Sequence, residues 1–157
     1  MAVLVPDGPW TQLIEGGHAL IENSMMIGPS QLPPDWVSLK AKPTPADGFP
    51  QEFGYNAIRV PLYLMRAGAR DRAVLQAFQQ NMADAEGRVR LVDIKTGTTR
   101  QTLADAGYRA IPALIACVLD RKSLADDLKQ FQTTEYYPST LHLLVLSFAR
   151  RRHPECL

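Results

Sequence analysis

The residues of this sequence best suited to chemistry sit in two stretches. These are Leu32-Pro33-Pro34-Asp35-Trp36-Val37 and Phe53-Gly54-Tyr55-Asn56-Ala57-Ile58-Arg59-Val60-Pro61-Leu62-Tyr63. Asn56 and Arg59 are about one helical turn apart. The Asn56 amide can hold water or a hydroxyl by hydrogen bonds but accepts no proton at neutral pH, and beside Gly54 it reads equally as a helix N-cap. Arg59 lies between Ile58 and Val60, where a guanidinium needs a partner. It is either half of a structural ion pair or the group that orients position 56. Tyr55 and Tyr63 are core aromatics with satisfied hydroxyls or contact residues of a cleft. Asp35 offers a turn cap or a substitute proton acceptor. Trp36, behind two prolines, is a flat plate on a stiff loop or an anchor for that loop.

Other chemistries find no support. His18, His142 and His153 share no ligand spacing, so no metal site is expected. No serine or cysteine has a triad context, no glycine-rich phosphate loop is present, and no cofactor is implied. Cys117 lies in an apolar run and Cys156 next to the C-terminus, a pair that supports neither a disulfide framework nor a metal site.

The elements that must position these residues follow from periodicity. Residues 10–25 pattern as an amphipathic helix with one face in water. Residues 28–51 hold six prolines and two glycines, a density that breaks helix and strand alike and predicts a long, functional loop. Residues 55–69 are apolar on nearly every side and predict a helix surrounded by protein. Asp71 caps a half-wet helix carrying Val74, Leu75, Phe78 and Met82 on one stripe. Residues 88–99 alternate like a short β-hairpin around Gly97. Residues 108–119 again read as buried helix, 123–131 as helix polar on one face, and 140–149 as buried helix. Pro138 suits the start of that last helix, and Arg150 to Arg152 suit its negative end. Two buried segments begin alike, Gly54-Tyr55-Asn56-Ala57-Ile58 and Gly107-Tyr108-Arg109-Ala110-Ile111, each followed by a proline, which makes a weak internal repeat.

Three pairs of one amphipathic and one all-apolar helix match helical hairpins in an inner and an outer layer, part of a double-walled α/α toroid. The fold class is therefore all-α with a small β-hairpin. Three hairpins make an arc, and the bare flanks of an arc expose apolar surface that predicts a complementary half or self-association. The chain of 157 residues, 46% hydrophobic and 21% charged, is one domain or part of one. Its 17 basic and 16 acidic residues are scattered, which excludes an electrostatic footprint for nucleic acid or anionic lipid and suits a neutral partner. No stretch is long enough to cross a membrane. Residues 1–9 carry no basic residue and are interrupted by Pro6, Asp7 and Gly8, so they are no signal peptide.

The two stretches together resemble glycoside hydrolase family 8, especially bacterial endoglucanases associated with cellulose synthesis. Glu135-Tyr136-Tyr137-Pro138-Ser139-Thr140-Leu141 is similar to the family's last inner helix, and Val92-Asp93-Ile94-Lys95-Thr96-Gly97 resembles its late hairpin. The resemblance runs over residues 10–151, and all four stretches keep the family's order. It implies an (α/α)6 barrel whose inner helices surround a cleft, of which residues 1–157 would be the C-terminal half and residues 28–51 a cleft loop. It implies a periplasmic or secreted parent enzyme that cleaves β-1,4-glucan with inversion. Inversion needs one carboxylic acid for the leaving oxygen and one carboxylate to activate water. The family's acid, a glutamate of the first helices, and a further sugar-binding aspartate precede anything in this chain. Its base is the aspartate of a Gly-Tyr-Asp-Ala motif, and Asn56 stands at that position. Arg59 would support the base position, while Tyr55, Trp36, Tyr63 and Asp35 would contact glucan. The alternatives are an inactive remnant that still binds glucan and a helical scaffold for protein interaction.

Overall fold

A computed structural model provides the structure and describes residues 6–40, 42–68 and 71–157. Helices dominate: α1 (Trp10–Met25), α2 (Val60–Arg66), α3 (Arg72–Asn81), α4 (Ala106–Asp120), a single turn α5 (Asp126–Lys129) and α6 (Tyr136–Arg152). The bounds of α1 coincide with the periodic segment. Asp71 does cap α3, accepting N–H bonds from Ala73 (2.9 Å) and Val74 (3.1 Å).

The centre is α4. Ala110, Ile111, Leu114 and Ile115 are wholly buried, and α4 packs against α6, α3 and α2 and against strand β4 (Val89–Asp93). The all-round apolar pattern of residues 108–119 thus has its expected cause, since α4 carries buried side chains on several faces; residues 140–149 depart from the expectation, because the buried Leu141, His142, Val145, Phe148 and Ala149 share one stripe of α6 and Leu143 is 51% exposed. The third such segment, 55–69, is shorter as helix than expected. A one-turn 3-10 helix (Ala57–Arg59) leads into α2, which stops at Arg66; the segment's last residue lies outside the described set.

The segment 123–131 departs most from its pattern. A helix there would bond the Leu128 carbonyl to the Gln132 N–H. Instead the ring of the wholly buried His142 stands between them. Its Nε2 donates to the Leu128 carbonyl at 2.9 Å, and its Nδ1 accepts from the Gln132 N–H at 3.4 Å. The ring satisfies both groups, and the helix ends after one turn.

Two small antiparallel sheets complete the fold. Strands β4 and β5 (Thr99–Leu103) form the hairpin expected around Gly97, with a register shift between Leu91 and Val92. A third strand, β3 (Glu52–Phe53), pairs Glu52 with Asp93 and Phe53 with Val92. This pairing was not read from the sequence, and it clamps the chain just before Gly54. Within the proline-rich loop, β1 (Val37–Ser38) pairs with β2 (Thr44–Pro45).

Cys117 and Cys156 form a disulfide, which corrects the reading of the pair as unlinked. Their separation of 39 residues gave no local signal. A 3-10 turn (Pro154–Cys156) folds back after α6, and the Cys156 carbonyl accepts the Leu124 N–H at 2.9 Å, which brings the sulfur under the end of α4.

Candidate functional site

The residues of the second stretch are held by a residue of the first. Asp35 Oδ1 accepts N–H bonds from Gly54 and from Ala57, each at 2.8 Å. Its own N–H donates to the Glu52 carbonyl at 2.7 Å. One carboxylate oxygen therefore fixes both sides of the Tyr55-Asn56 turn and caps the 3-10 helix from 22 residues away. Asn56, at the N-cap position, makes no side-chain cap bond. Gly54 permits the approach, since a Cβ there would meet Asp35 Oδ2 at 2.7 Å.

With its capping role taken, the Asn56 side chain turns to Arg59. The guanidinium NH2 group donates to Asn56 Oδ1 at 3.0 Å, and Nε donates to the Asn56 carbonyl at 3.3 Å. Arg59 thus finds the partner that its apolar setting required, and the partner is an amide. The geometry also fixes the amide: Oδ1 faces the guanidinium, so Nδ2 offers its two donors elsewhere.

Next to this pair stand three tyrosines. Tyr55, Tyr108 and Tyr137 form a triangle, with ring centroids 6.2 Å apart for Tyr55–Tyr108, 6.2 Å for Tyr55–Tyr137 and 6.0 Å for Tyr108–Tyr137. The Tyr137 hydroxyl donates to the Tyr55 carbonyl. Burial pushes the Tyr108 hydroxyl up to about 12, assisted by Tyr55 and Tyr137. Burial also raises Tyr137, against the lowering pull of the Arg59 charge. Both hydroxyls stay protonated across the neutral range and can donate. Tyr55 is 42% exposed, so the triangle opens to solvent on its side.

Tyr108 and Tyr137 were missed as site residues, although a signal existed. The Gly-Tyr repeat places Tyr108 at the start of α4 as it places Tyr55 before the 3-10 helix. Its glycine matters: a Cβ on Gly107 would lie 1.8 Å from the Pro138 carbonyl oxygen. Only glycine lets α4 reach the first turn of α6, where Tyr137 stands.

The other named residues are placed as follows. Tyr63, on α2, is half exposed and near enough to Tyr137 to act on its hydroxyl electrostatically, as do Asp35 and Arg59. Trp36 stacks on Phe49, with centroids 4.5 Å apart and planes at 24°, and both rings are nearly half exposed. This pair forms an aromatic plate on the loop held by β1 and β2. Among the described residues, the one cluster with metal-ligand reach is His153, Glu155 and Cys156. The Cys156 sulfur is committed to the disulfide, and His153 Nδ1 lies 3.1 Å from Glu155 Oε1.

With this geometry the comparisons agree on one family. The model of glycosyl hydrolases family 8 matches residues 5–151, and the chain belongs to that family of glycosidases. It is 33% identical to a probable endoglucanase of Novacetimonas hansenii over 147 residues, which is 90% of this chain and 42% of that protein. Its structure superposes on an endo-beta-1,4-glucanase of Acetobacter xylinum with a TM-score of 0.76 and 31% identity, covering 99% of this chain and 48% of the other. An endoglucanase from Komagataeibacter sucrofermentans matches with a TM-score of 0.75 and 29% identity over 96% of this chain and 47% of its own. The chain spans less than half the length of each of these relatives.

Proposed function

We propose that this chain forms the C-terminal half of an (α/α)6 barrel and the glucan-binding wall of an endo-β-1,4-glucanase site. The observation that carries this is the cluster of Asn56, Arg59 and three tyrosines, assembled by Asp35 inside a chain of family 8 and opening to solvent. Three ring hydroxyls, the Nδ2 donors of Asn56 and the exposed edge of Tyr55 suit a neutral polyhydroxyl ligand. The plate of Trp36 and Phe49, on the cleft loop 28–51, suits stacking on a pyranose face.

An inverting reaction needs a base and an acid. At the base position the Asn56 amide presents donors where a carboxylate would present acceptors, and Arg59 takes the one oxygen it has. Of the carboxyl groups around the cluster, Asp35 is committed to two backbone N–H bonds and Asp105 and Glu135 act on Tyr108 through their charge, so we assign the acid to the complementary half. We assign glucan binding without turnover to the chain by itself, with turnover reserved for a site completed by a complementary half or a second copy. The Cys117–Cys156 disulfide supports an oxidising compartment, the periplasm or the exterior.

Incubation with a soluble β-1,4-glucan tests the reading. Binding that quenches tryptophan fluorescence, with no release of reducing ends, is the expected result. Release of reducing ends by the chain alone would place both groups within it. Absence of binding would favour a helical scaffold.

A further inference from the structure

The corner where α4 and α6 end gathers four side chains of metal-ligating type. Cys117 is in the last turn of α4, and His153, Glu155 and Cys156 lie on or beside the 3-10 turn that follows α6. One ligand atom from each of His153, Glu155 and Cys156 falls within 4.8 Å of the other two, and Cys117 is bonded to the Cys156 sulfur. Histidine spacing does not reveal this set, because it contains a single histidine and Cys117 is 39 positions from Cys156. Helix α6, with 17 residues and about 25 Å long, separates the corner from Tyr137 in its first turn, so the set takes no part in the tyrosine cluster.

The sulfur chemistry decides what the corner can hold. A thiolate is a strong metal ligand, and a disulfide sulfur is not one. The turn is also anchored without the sulfur bond. The Cys156 carbonyl accepts the Leu124 N–H at 2.9 Å and the Ser123 hydroxyl at 3.1 Å. The Cys156 N–H donates to the His153 carbonyl at 2.9 Å, and the His153 ring packs on Phe148 with centroids 5.3 Å apart. Opening the disulfide therefore leaves two thiols facing each other beside the same histidine and glutamate. His153 Nδ1 stands 3.1 Å from Glu155 Oε1. Two ligand atoms bound at ~2.0 Å to one tetrahedral zinc are separated by about 3.3 Å.

We propose that this corner has two states, the disulfide and a dithiol that binds one zinc ion through Cys117, Cys156, His153 and Glu155. Two thiolates, an imidazole and a carboxylate make a closed tetrahedral set that suits Zn²⁺, whereas Ca²⁺ and Mg²⁺ take oxygen ligands. Two thiolates and a carboxylate around Zn²⁺ leave one negative charge. Arg121 acts on the Glu155 carboxylate through its charge, and Arg152 lines the same hollow as His153, so that charge is met. The hollow opens to solvent beside Met65, Val118 and Phe148 and gives the ion a path. A dithiol reductant passes two electrons and two protons to the disulfide and becomes a disulfide itself; zinc then displaces the two thiol protons into solvent. A disulfide oxidant reverses this, taking two electrons from the thiolates and releasing the ion. A newly made chain starts in the dithiol state, where zinc ties α4 to the turn after α6 before the disulfide does.

Zinc titration of the oxidised and the phosphine-reduced chain, in competition with a chromogenic chelator, tests this. The reduced chain should bind one zinc ion per molecule, about a hundredfold or more tightly than the oxidised chain, with helix content unchanged by circular dichroism. In the reduced chain His153→Ala, Glu155→Gln and Cys117→Ser should each weaken binding by about tenfold or more. The first two should change nothing in the oxidised chain. Co²⁺ in place of zinc should give a sulfur-to-metal charge-transfer band and the intense visible bands of a tetrahedral site. Equal affinity in the two redox states overturns the proposal. Binding by the reduced chain that is indifferent to His153→Ala or to Glu155→Gln also overturns it. So does zinc taken up only by a reduced chain that has lost its helical signal, because unfolded cysteines bind metal without a built site. Glucan enters none of these readouts, so the functional reading stands or falls separately.

Discussion

Asp35 Oδ1 accepts the Gly54 and Ala57 N–H groups at once, so truncating it leaves two donors at a half-buried turn without a partner. Hydrogen bonds to a charged acceptor contribute about 1.5–3 kcal/mol each, and the partial exposure of this turn argues for the low end. Asp35→Ala should therefore destabilise by about 3 kcal/mol in urea unfolding, and Asp35→Asn, which keeps an acceptor oxygen, by clearly less. Equal losses would show that the side chain acts by packing. Asn56 invites the opposite experiment. In Asn56→Asp the new carboxylate replaces an amide oxygen that already lies 3.0 Å from the Arg59 guanidinium. The pairing should hold its pKa below the usual value of about 3.9, which a carbon-detected NMR titration reads directly. Such a group stays ionised at neutral pH and can accept a proton, yet the chain alone should still release no reducing ends, because the leaving oxygen has no acid. General acid and general base each contribute about a hundredfold to ten-thousandfold, and this change supplies one of them.

At the scale of elements, the Gly107 contact fixes where α4 and α6 meet, and with it the distance from Tyr108 to Tyr137. Gly107→Ala must push a backbone carbonyl away from 1.8 Å. Overpacking against main chain costs about 3 kcal/mol at the upper end of its range, so a fall in Tm accompanied by altered tyrosine near-UV dichroism is expected. An unchanged Tm would show that the two helices part easily. The hairpin of β4 and β5 makes a pH-dependent case. The Asp93 carboxyl is held at about 2 by the Thr96 N–H bond and then by the Arg100 side chain. A depressed carboxyl stabilises the fold above its unfolded value, and that contribution is lost as pH falls from 3.8 towards 2. Asp93→Asn should remove this part of the acid transition and leave the part that the lowered carboxyls of Asp84 and Glu155 contribute. How far the elements were legible depended on where their determinants lie. The bounds of α1 and the cap of α3 rest on local periodicity and a neighbouring carboxylate, and both could be read. The stop after α5 rests on a histidine ring from α6, and strand β3 rests on a partner some 40 residues on; local pattern holds neither.

For the whole molecule, the helix-rich architecture and the family were legible because buried helices announce themselves by all-round apolarity and the Gly-Tyr-Asn-Ala stretch is distinctive. The site was legible in part. Asn56 and Arg59 were found as partners of a local motif, whereas Tyr108 and Tyr137 enter through close approach of α4 and α6, which the repeat of Gly-Tyr hinted at without showing contact. Least legible was the disulfide, since it joins an apolar helix to the segment after α6 and neither end carries a cysteine-rich pattern. That bond closes the C-terminal part of the chain around α5 and α6, so it acts on the stability of α4 and α6 rather than on the site alone. With its cysteines 39 positions apart in the sequence, the chain-entropy model gives about 4 kcal/mol of stabilisation, chiefly from restricting the unfolded chain. Cys156→Ser, or reduction of the native protein, should therefore lower the urea midpoint by an amount corresponding to about 3–4 kcal/mol, while glucan binding at low denaturant persists. The slope of the transition should also steepen, because the unlinked chain exposes more surface on unfolding. Equal midpoints in oxidised and reduced protein would mean that the loop is already held by Leu124 and the buried His142. Loss of glucan binding on reduction would instead mean that the bond positions α6, and through its first turn Tyr137, at the tyrosine cluster.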